Sequence, residues 1–149
     1  MIYQRLIFVC TGNTCRSPMA KAIYERMDEV KHIEVLSRGI VVLFPEPANP
    51  KAAAVLKNND LSIEEHEARR LEAEDITEDT LILTMTEKQK ESILEEYPFA
   101  TDVYTLKEFV GLEGDVNDPY GGSLLDYEEC FHELSQLVKK TVYRLNEED

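Results

Sequence analysis

From Cys10 the chain reads Cys10-Thr11-Gly12-Asn13-Thr14-Cys15-Arg16-Ser17, so five residues separate a thiol from a guanidinium. The two groups suit one task. A guanidinium is a planar fork of N–H donors that matches two oxygens of a tetrahedral anion, and a thiolate is a nucleophile toward its centre. Gly12 and Asn13 are residue types that accept positive φ at low cost, which lets the segment Thr11, Gly12, Asn13, Thr14, Cys15 coil and aim backbone N–H groups at one point. A covalent intermediate on sulfur also needs a proton for the leaving group and then a base for the attacking water, and one carboxylic acid can serve both steps. Asp118 is the candidate. It lies in Gly114-Asp115-Val116-Asn117-Asp118-Pro119-Tyr120-Gly121-Gly122; Pro119 restricts it to an extended backbone, the glycines let the loop approach, and Tyr120 is placed to wall a substrate entrance.

These residues need elements to hold them. Leu6-Ile7-Phe8-Val9 is a continuous apolar run expected of a strand buried on both faces, with Cys10 at its carboxyl end. Ser17-Pro18 reads as an N-cap and first helical position, and Met19, Ala22, Ile23, Met27 and Val30 recur at helical spacing. The loop is thus expected on the positive end of a helix, where an anion is stabilised and the thiolate form of Cys10 is favoured without a neighbouring His. A cysteine ending a buried strand can also be a small hydrophobe; Gly12, Asn13, Arg16 and Ser17 at this spacing favour the chemistry.

Farther on, Ile33 to Ser37 reads as a second strand ending at Arg38-Gly39, with Ser37 either donating into the loop or facing solvent. Asn49-Pro50 caps a helix from Lys51 to Asn59. The stretch Ser62 to Thr80, which contains His66, is dense in Glu and Arg and reads as solvated loop and short helix. Leu81 to Met85 is a third strand, Thr86 to Glu96 a polar helix with Ile93 and Leu94 as its buried spots, and Val103 to Leu106 a short fourth strand. Tyr127, Cys130, Phe131, Leu134, Leu137, Val138 and Val142 give the last helix an apolar stripe. Strands alternating with helices predict an α/β fold, a parallel sheet covered on both faces.

The chain's 149 residues fit a single domain over 1–149 that needs no disulfide. No long apolar segment suggests a membrane span or a signal peptide. Three cysteines, an odd number, fit a reducing compartment and a cytoplasmic setting. A net charge of −14 opposes nucleic-acid binding and would also repel an anionic substrate at long range, so the loop must supply local positive potential. Neither G-x-x-x-x-G-K-S/T nor G-x-G-x-x-G occurs, which argues against a nucleotide cofactor. His32, His66 and His132 are scattered and read as surface residues, so neither metal nor other cofactor is expected.

The loop Cys10 to Arg16 with Ser17-Pro18-Met19-Ala20, the strand end Ser37-Arg38-Gly39, and Asp118-Pro119-Tyr120 resemble the low-molecular-weight protein tyrosine phosphatase family over essentially the whole chain. The resemblance implies a four-stranded parallel sheet in a three-layer α/β/α sandwich of flavodoxin-like type. It also implies Cys10 as nucleophile, Arg16 as clamp on phosphate and transition state, Asp118 as acid then base, and Asn13, Ser17 and Ser37 as holders of the loop. Cys15 is implied as a thiol able to form a reversible disulfide with Cys10. Thr11, where a bulkier aliphatic residue is usual, and Gly121-Gly122 after Asp118-Pro119-Tyr120 resemble the bacterial protein-arginine-phosphatase branch. Phosphoarginine on a protein is then the expected substrate, with phosphotyrosine as the alternative that Tyr120 keeps open, and a monomer or weak oligomer as the expected state. A thioredoxin-coupled arsenate reductase needs relay cysteines, and none lies between Cys15 and Cys130. An oxyanion-binding or redox-sensing module requires Asp118 to lie far from Cys10.

Overall fold

The computed structural model describes residues 3–147. Strand β1 (Arg5–Cys10) leads to helix α1 (Arg16–Met27), β2 (Glu34–Gly39), α2 (Pro50–Asn58), β3 (Thr80–Thr84), α3 (Glu87–Glu96), β4 (Val103–Thr105), the four-residue α4 (Leu106–Phe109) and the long α5 (Leu124–Glu147). The four strands pair in parallel in the order β2-β1-β3-β4. The expected α/β architecture with a four-stranded parallel sheet is what forms. β1 is central because it is apolar on both faces. Leu6, Phe8 and Cys10 join a core with α1, α2, α4 and α5, whereas Ile7 and Val9 pack with Leu71, Ile82, Ile93 and Val103 on the opposite face. The stripe expected on α5 is buried throughout, Cys130 included. Among the described residues no helix is long and apolar enough to cross a membrane.

Several local expectations are corrected. Cys15, not Ser17, occupies the N-cap of α1; Ser17 and Pro18 lie inside its first turn, where proline costs no intrahelical hydrogen bond. Val30 lies beyond the helix end and is exposed. On α3 Ile93 is buried but Leu94 is exposed, and the second buried position belongs to the polar Gln89. Ile33 precedes β2, and Leu106 leaves β4 to begin α4.

The largest correction concerns residues 62–80. Instead of a solvated loop they form a strap with Ile63, Ala68 and Leu71 buried. Its backbone joins the sheet end through Gly39 N to Arg69 O (2.8 Å) and Leu71 N to Gly39 O (2.8 Å). Arg38 clasps the strap by donating from Nε and Nη2 to the two oxygens of Asp75, at 3.1 and 3.3 Å. The high charge content hides the strap because most of the charged side chains between the three apolar anchors are exposed, while Asp75 turns in to Arg38.

Candidate active site

With strand order β2-β1-β3-β4, the chain leaves β1 for one neighbour and later returns to the other side, which opens a crevice at the carboxyl end of β1. Cys10 stands there, 3% exposed. The following loop enters α1 at Arg16, so its residues face the N-terminal end of a twelve-residue helix. Thr11 O accepts from Ile40 N and Val41 N, both at 2.9 Å, and Thr14 O accepts from the α2 cap through Asn49 N at 2.9 Å. Gly39 is required where β2 ends, since a Cβ there would stand 3.0 Å from both Asn13 Cβ and Thr11 O.

Asn13 is the loop's internal brace. It is fully buried and left-handed, with φ of 57°, a conformation Asn tolerates better than most residues. Gly12, expected to share that role, is not in the positive-φ region. Asn13 Nδ2 donates to Ser17 Oγ at 2.7 Å and Ser37 Oγ at 3.1 Å, while its Oδ1 accepts from Arg69 N at 2.9 Å. Ser37 therefore acts as an acceptor in the loop rather than a donor into it. Ser17 Oγ sits 2.9 Å from Cys10 Sγ and is a hydroxyl donor available to a thiolate there.

His66, expected at the surface, is half-buried with Nε2 2.6 Å from Asn13 O. A carbonyl only accepts, so Nε2 carries the proton in this contact. Burial lowers the His66 pKa below the ordinary imidazole value, helped by the Lys21 and Arg38 charges and opposed by that bond.

Arg16 is buried, its Nη1 donating to Val116 O at 2.8 Å and its Nη2 lying 3.6 Å from Asp118 Oδ2. Cation and carboxylate predicted from distant segments thus meet. The carboxyl loop is held on the β3 to α3 turn, with Val116 N donating to Met85 O at 2.8 Å and Glu87 N donating to Asp115 Oδ1 at 2.9 Å. Asp118 is half-exposed, and its Oδ1 accepts from Tyr120 N at 3.0 Å. Gly122 is obligatory, since a Cβ there would stand 2.9 Å from Pro119 O and collide with the Asp126 carboxylate. Tyr120 is 75% exposed, free to meet a ligand from outside.

Thr11 is exposed, and its Oγ1 accepts from Gln89 Nε2 at 3.1 Å. Cys15 is buried, which raises its thiol pKa; the hydroxyls of Thr14 and Tyr127 lie 3.9 Å from its sulfur. Burial pushes Cys130 up to about 12. Among the described residues no three His, Cys, Asp or Glu side chains are grouped to hold a metal. One loop thus carries a buried thiol at its start and, where it enters α1, a buried guanidinium with a carboxylate 3.6 Å from it, groups that suit transfer of a tetrahedral oxyanion to sulfur and then to water.

The residues missed from sequence are His66, Arg69 and Gln89. The spacing of Thr86 and Gln89 carried a capping-box signal, realised here by Gln89 N to Thr86 Oγ1 at 3.1 Å and Thr86 N to Gln89 Oε1 at 3.0 Å. Nothing local signalled that the same amide would reach Thr11. His66 and Arg69 carried no signal, since His66 meets the Asn13 carbonyl and Arg69 lends only its own backbone N–H to the Asn13 side chain, each more than fifty positions away.

A family model described as low molecular weight phosphotyrosine protein phosphatase matches residues 5–149. A protein-arginine-phosphatase of Geobacillus stearothermophilus is 39% identical over 146 residues, covering 97% of each chain. A low molecular weight protein-tyrosine-phosphatase of Staphylococcus haemolyticus (strain JCSC1435) is 37% identical over 136 residues, covering 91% of this chain and 96% of that one. A solved arginine phosphatase mutant with a phosphorylated active site serine superposes with a TM-score of 0.90 at 35% identity over 95% of each chain.

Proposed function

The chain belongs to the low molecular weight phosphotyrosine protein phosphatase family, and from that footing we propose that it removes phosphate from phosphoarginine in proteins. It is a protein phosphatase by family. The finer reading rests above all on Thr11 and its hydroxyl at the mouth of the loop. An aryl ring wants apolar walls, whereas a guanidino group carries N–H donors that need acceptors, and a hydroxyl supplies one. The arginine-phosphatase relative supports the same substrate, and the tyrosine-phosphatase relative supports phosphotyrosine as the second reading.

In the proposed reaction the phosphoryl oxygens lie against Arg16 and the end of α1, and the Cys10 thiolate attacks phosphorus in line. The P–N bond breaks as the S–P bond forms, and protonated Asp118 gives its proton to the departing guanidino nitrogen. Asp118, now a carboxylate, takes a proton from water; the water oxygen bonds to phosphorus, the S–P bond breaks, and Cys10 leaves as thiolate with phosphate released. Asn13, Ser17 and Ser37 keep the loop in shape, Gly12, Thr14 and Cys15 contribute backbone to it, and Tyr120 borders the entrance. We place this activity in one domain of cytoplasmic setting, which three free thiols support.

The test compares kcat/KM for matched phosphoarginine and phosphotyrosine peptides, with Cys10→Ser as control. A preference for phosphoarginine of about tenfold or more is expected, within the range a single pocket contact confers, and the control should bind vanadate without turnover. A preference for phosphotyrosine would replace the substrate assignment, and turnover by the control would remove the mechanism.

A further inference from the structure

Gln89 is 5% exposed and uses every polar atom of its amide. Oε1 accepts from Met85 N at 2.9 Å and Thr86 N at 3.0 Å, while Nε2 donates to Thr11 Oγ1 at 3.1 Å. The amide has one orientation only, because a flipped NH2 would oppose two backbone donors. The capping box fixes its backbone as well, through Gln89 N to Thr86 Oγ1. A rigid donor is therefore aimed at an otherwise exposed hydroxyl.

We infer that Gln89 is a specificity-positioning residue: its amide fixes the rotamer of Thr11, so that the hydroxyl, and not the methyl, holds one defined place beside the reacting group. This rests on the reading of Thr11 as the selector for phosphoarginine. Threonine has three staggered χ1 wells, and an exposed threonine without a tether samples more than one. Each hop exchanges Oγ1 for the methyl, and in that state the residue presents the aliphatic edge of a valine. The bond from Gln89 occupies one lone pair of Oγ1, leaving its proton and second lone pair for water or for an N–H of the substrate. Donation from Gln89 also polarises the O–H, which strengthens it as a donor. Gln89 never touches substrate; it acts through Thr11.

The experiment measures kcat/KM for phosphoarginine and phosphotyrosine peptides, together with p-nitrophenyl phosphate as a report on the nucleophile loop. The variants are Thr11→Val, Gln89→Met, Gln89→Glu and the Thr11→Val/Gln89→Met double. Gln89→Met should lower the phosphoarginine-to-phosphotyrosine ratio by about three- to tenfold, the scale of one lost hydrogen bond. The double variant should match Thr11→Val alone in that ratio. Gln89→Glu keeps an oxygen that accepts from both backbone N–H donors and holds the hydroxyl by a reversed bond, so it should retain the ratio within about twofold, again on the scale of a hydrogen bond. If Gln89→Met fails to fold, the Glu variant decides: a ratio as low as that of Thr11→Val overturns the inference, and a retained ratio supports it. A fall in all three substrates by one common factor in Gln89→Met, with Thr11→Val still losing the ratio, overturns the positioning role and leaves Thr11 as selector. An unchanged ratio in Thr11→Val removes the selector reading and the inference with it.

Discussion

Burial raises the Cys15 pKa above that of an ordinary thiol, with the hydroxyls of Thr14 and Tyr127 pulling the other way. At neutral pH Cys15 is thus protonated and unreactive toward peroxide, which attacks thiolates. On the proposed mechanism, Cys10 as the nucleophile should be oxidised first, to a sulfenic acid. With Cys15 as the resolving thiol, it should condense with that sulfenic acid, forming an S–S bond and releasing water, which would shield the nucleophile from further oxidation. Peroxide inactivation should be reversed by dithiothreitol in the parent, whereas Cys15→Ala should recover only a minor part of its activity after the same exposure. Cys130, pushed up to about 12 by burial in the core, should be a bystander, so Cys130→Ala recovers like the parent. Full recovery by Cys15→Ala would exclude it as the resolving thiol. At this scale the sequence was most informative, because Cys10, Arg16 and Asp118 stand out as candidates by type and spacing, and Arg16 and Asp118 meet in the fold. Gln89 and His66 were not, because each is an ordinary residue whose role exists only through a contact across the fold.

Elements explain that gap. Asn13 could be read as a turn residue, yet what holds it left-handed is Ser17 from α1, Ser37 from β2, and Arg69 N and His66 from the strap. Four residues from three segments converge on one side chain and its carbonyl. The four strands and the longer helices were legible from apolar runs and spacing, and Asn49 caps α2 as its sequence suggested, whereas α4 and the cap of α1 were not. The strap was not, because three apolar anchors in a charged stretch give no clean period. His66 makes the strap's contribution measurable. Its pKa is lowered in the folded protein by burial, so the unfolded chain takes up the proton first as pH falls, and the native state loses stability below the ordinary imidazole value, about 6.5. Stability from this group is fully present above that pH and lost through the interval down to the lowered folded value. His66→Gln offers an N–H donor to Asn13 O with no titration. Its Tm should fall less than the parent's between pH 7.5 and pH 5.5, with a cost at pH 7.5 within about 1 kcal/mol for a replaced hydrogen bond. An equal fall in both proteins would show that His66 does not couple the strap to pH.

Across the whole molecule the charge is −14, while the group to be bound is an anion. The two facts are compatible because they act at different ranges. Close in, Arg16 and the end of α1 dominate, since the guanidinium is buried and only weakly screened. Farther out, the summed acidic field sets the rate of encounter. A phosphopeptide flanked by Asp and Glu is repelled on approach, and one flanked by Lys and Arg is drawn in, although both present the same phosphoryl group to the same loop. Arginine-rich protein segments, which carry their own positive charge beside a modified arginine, fit such a field well. Salt separates the two ranges. Raising ionic strength from about 0.01 M to about 0.1 M shortens the Debye length from about 30 Å to about 10 Å, which removes the far field and leaves the buried contacts. Over that range kcat/KM should rise for an acidic-flanked phosphoarginine peptide and fall for a basic-flanked one, while kcat stays nearly constant for both. If both peptides lost kcat/KM equally with salt, the loop's own positive potential would govern encounter, and the acidic surface would play no part in choosing substrates.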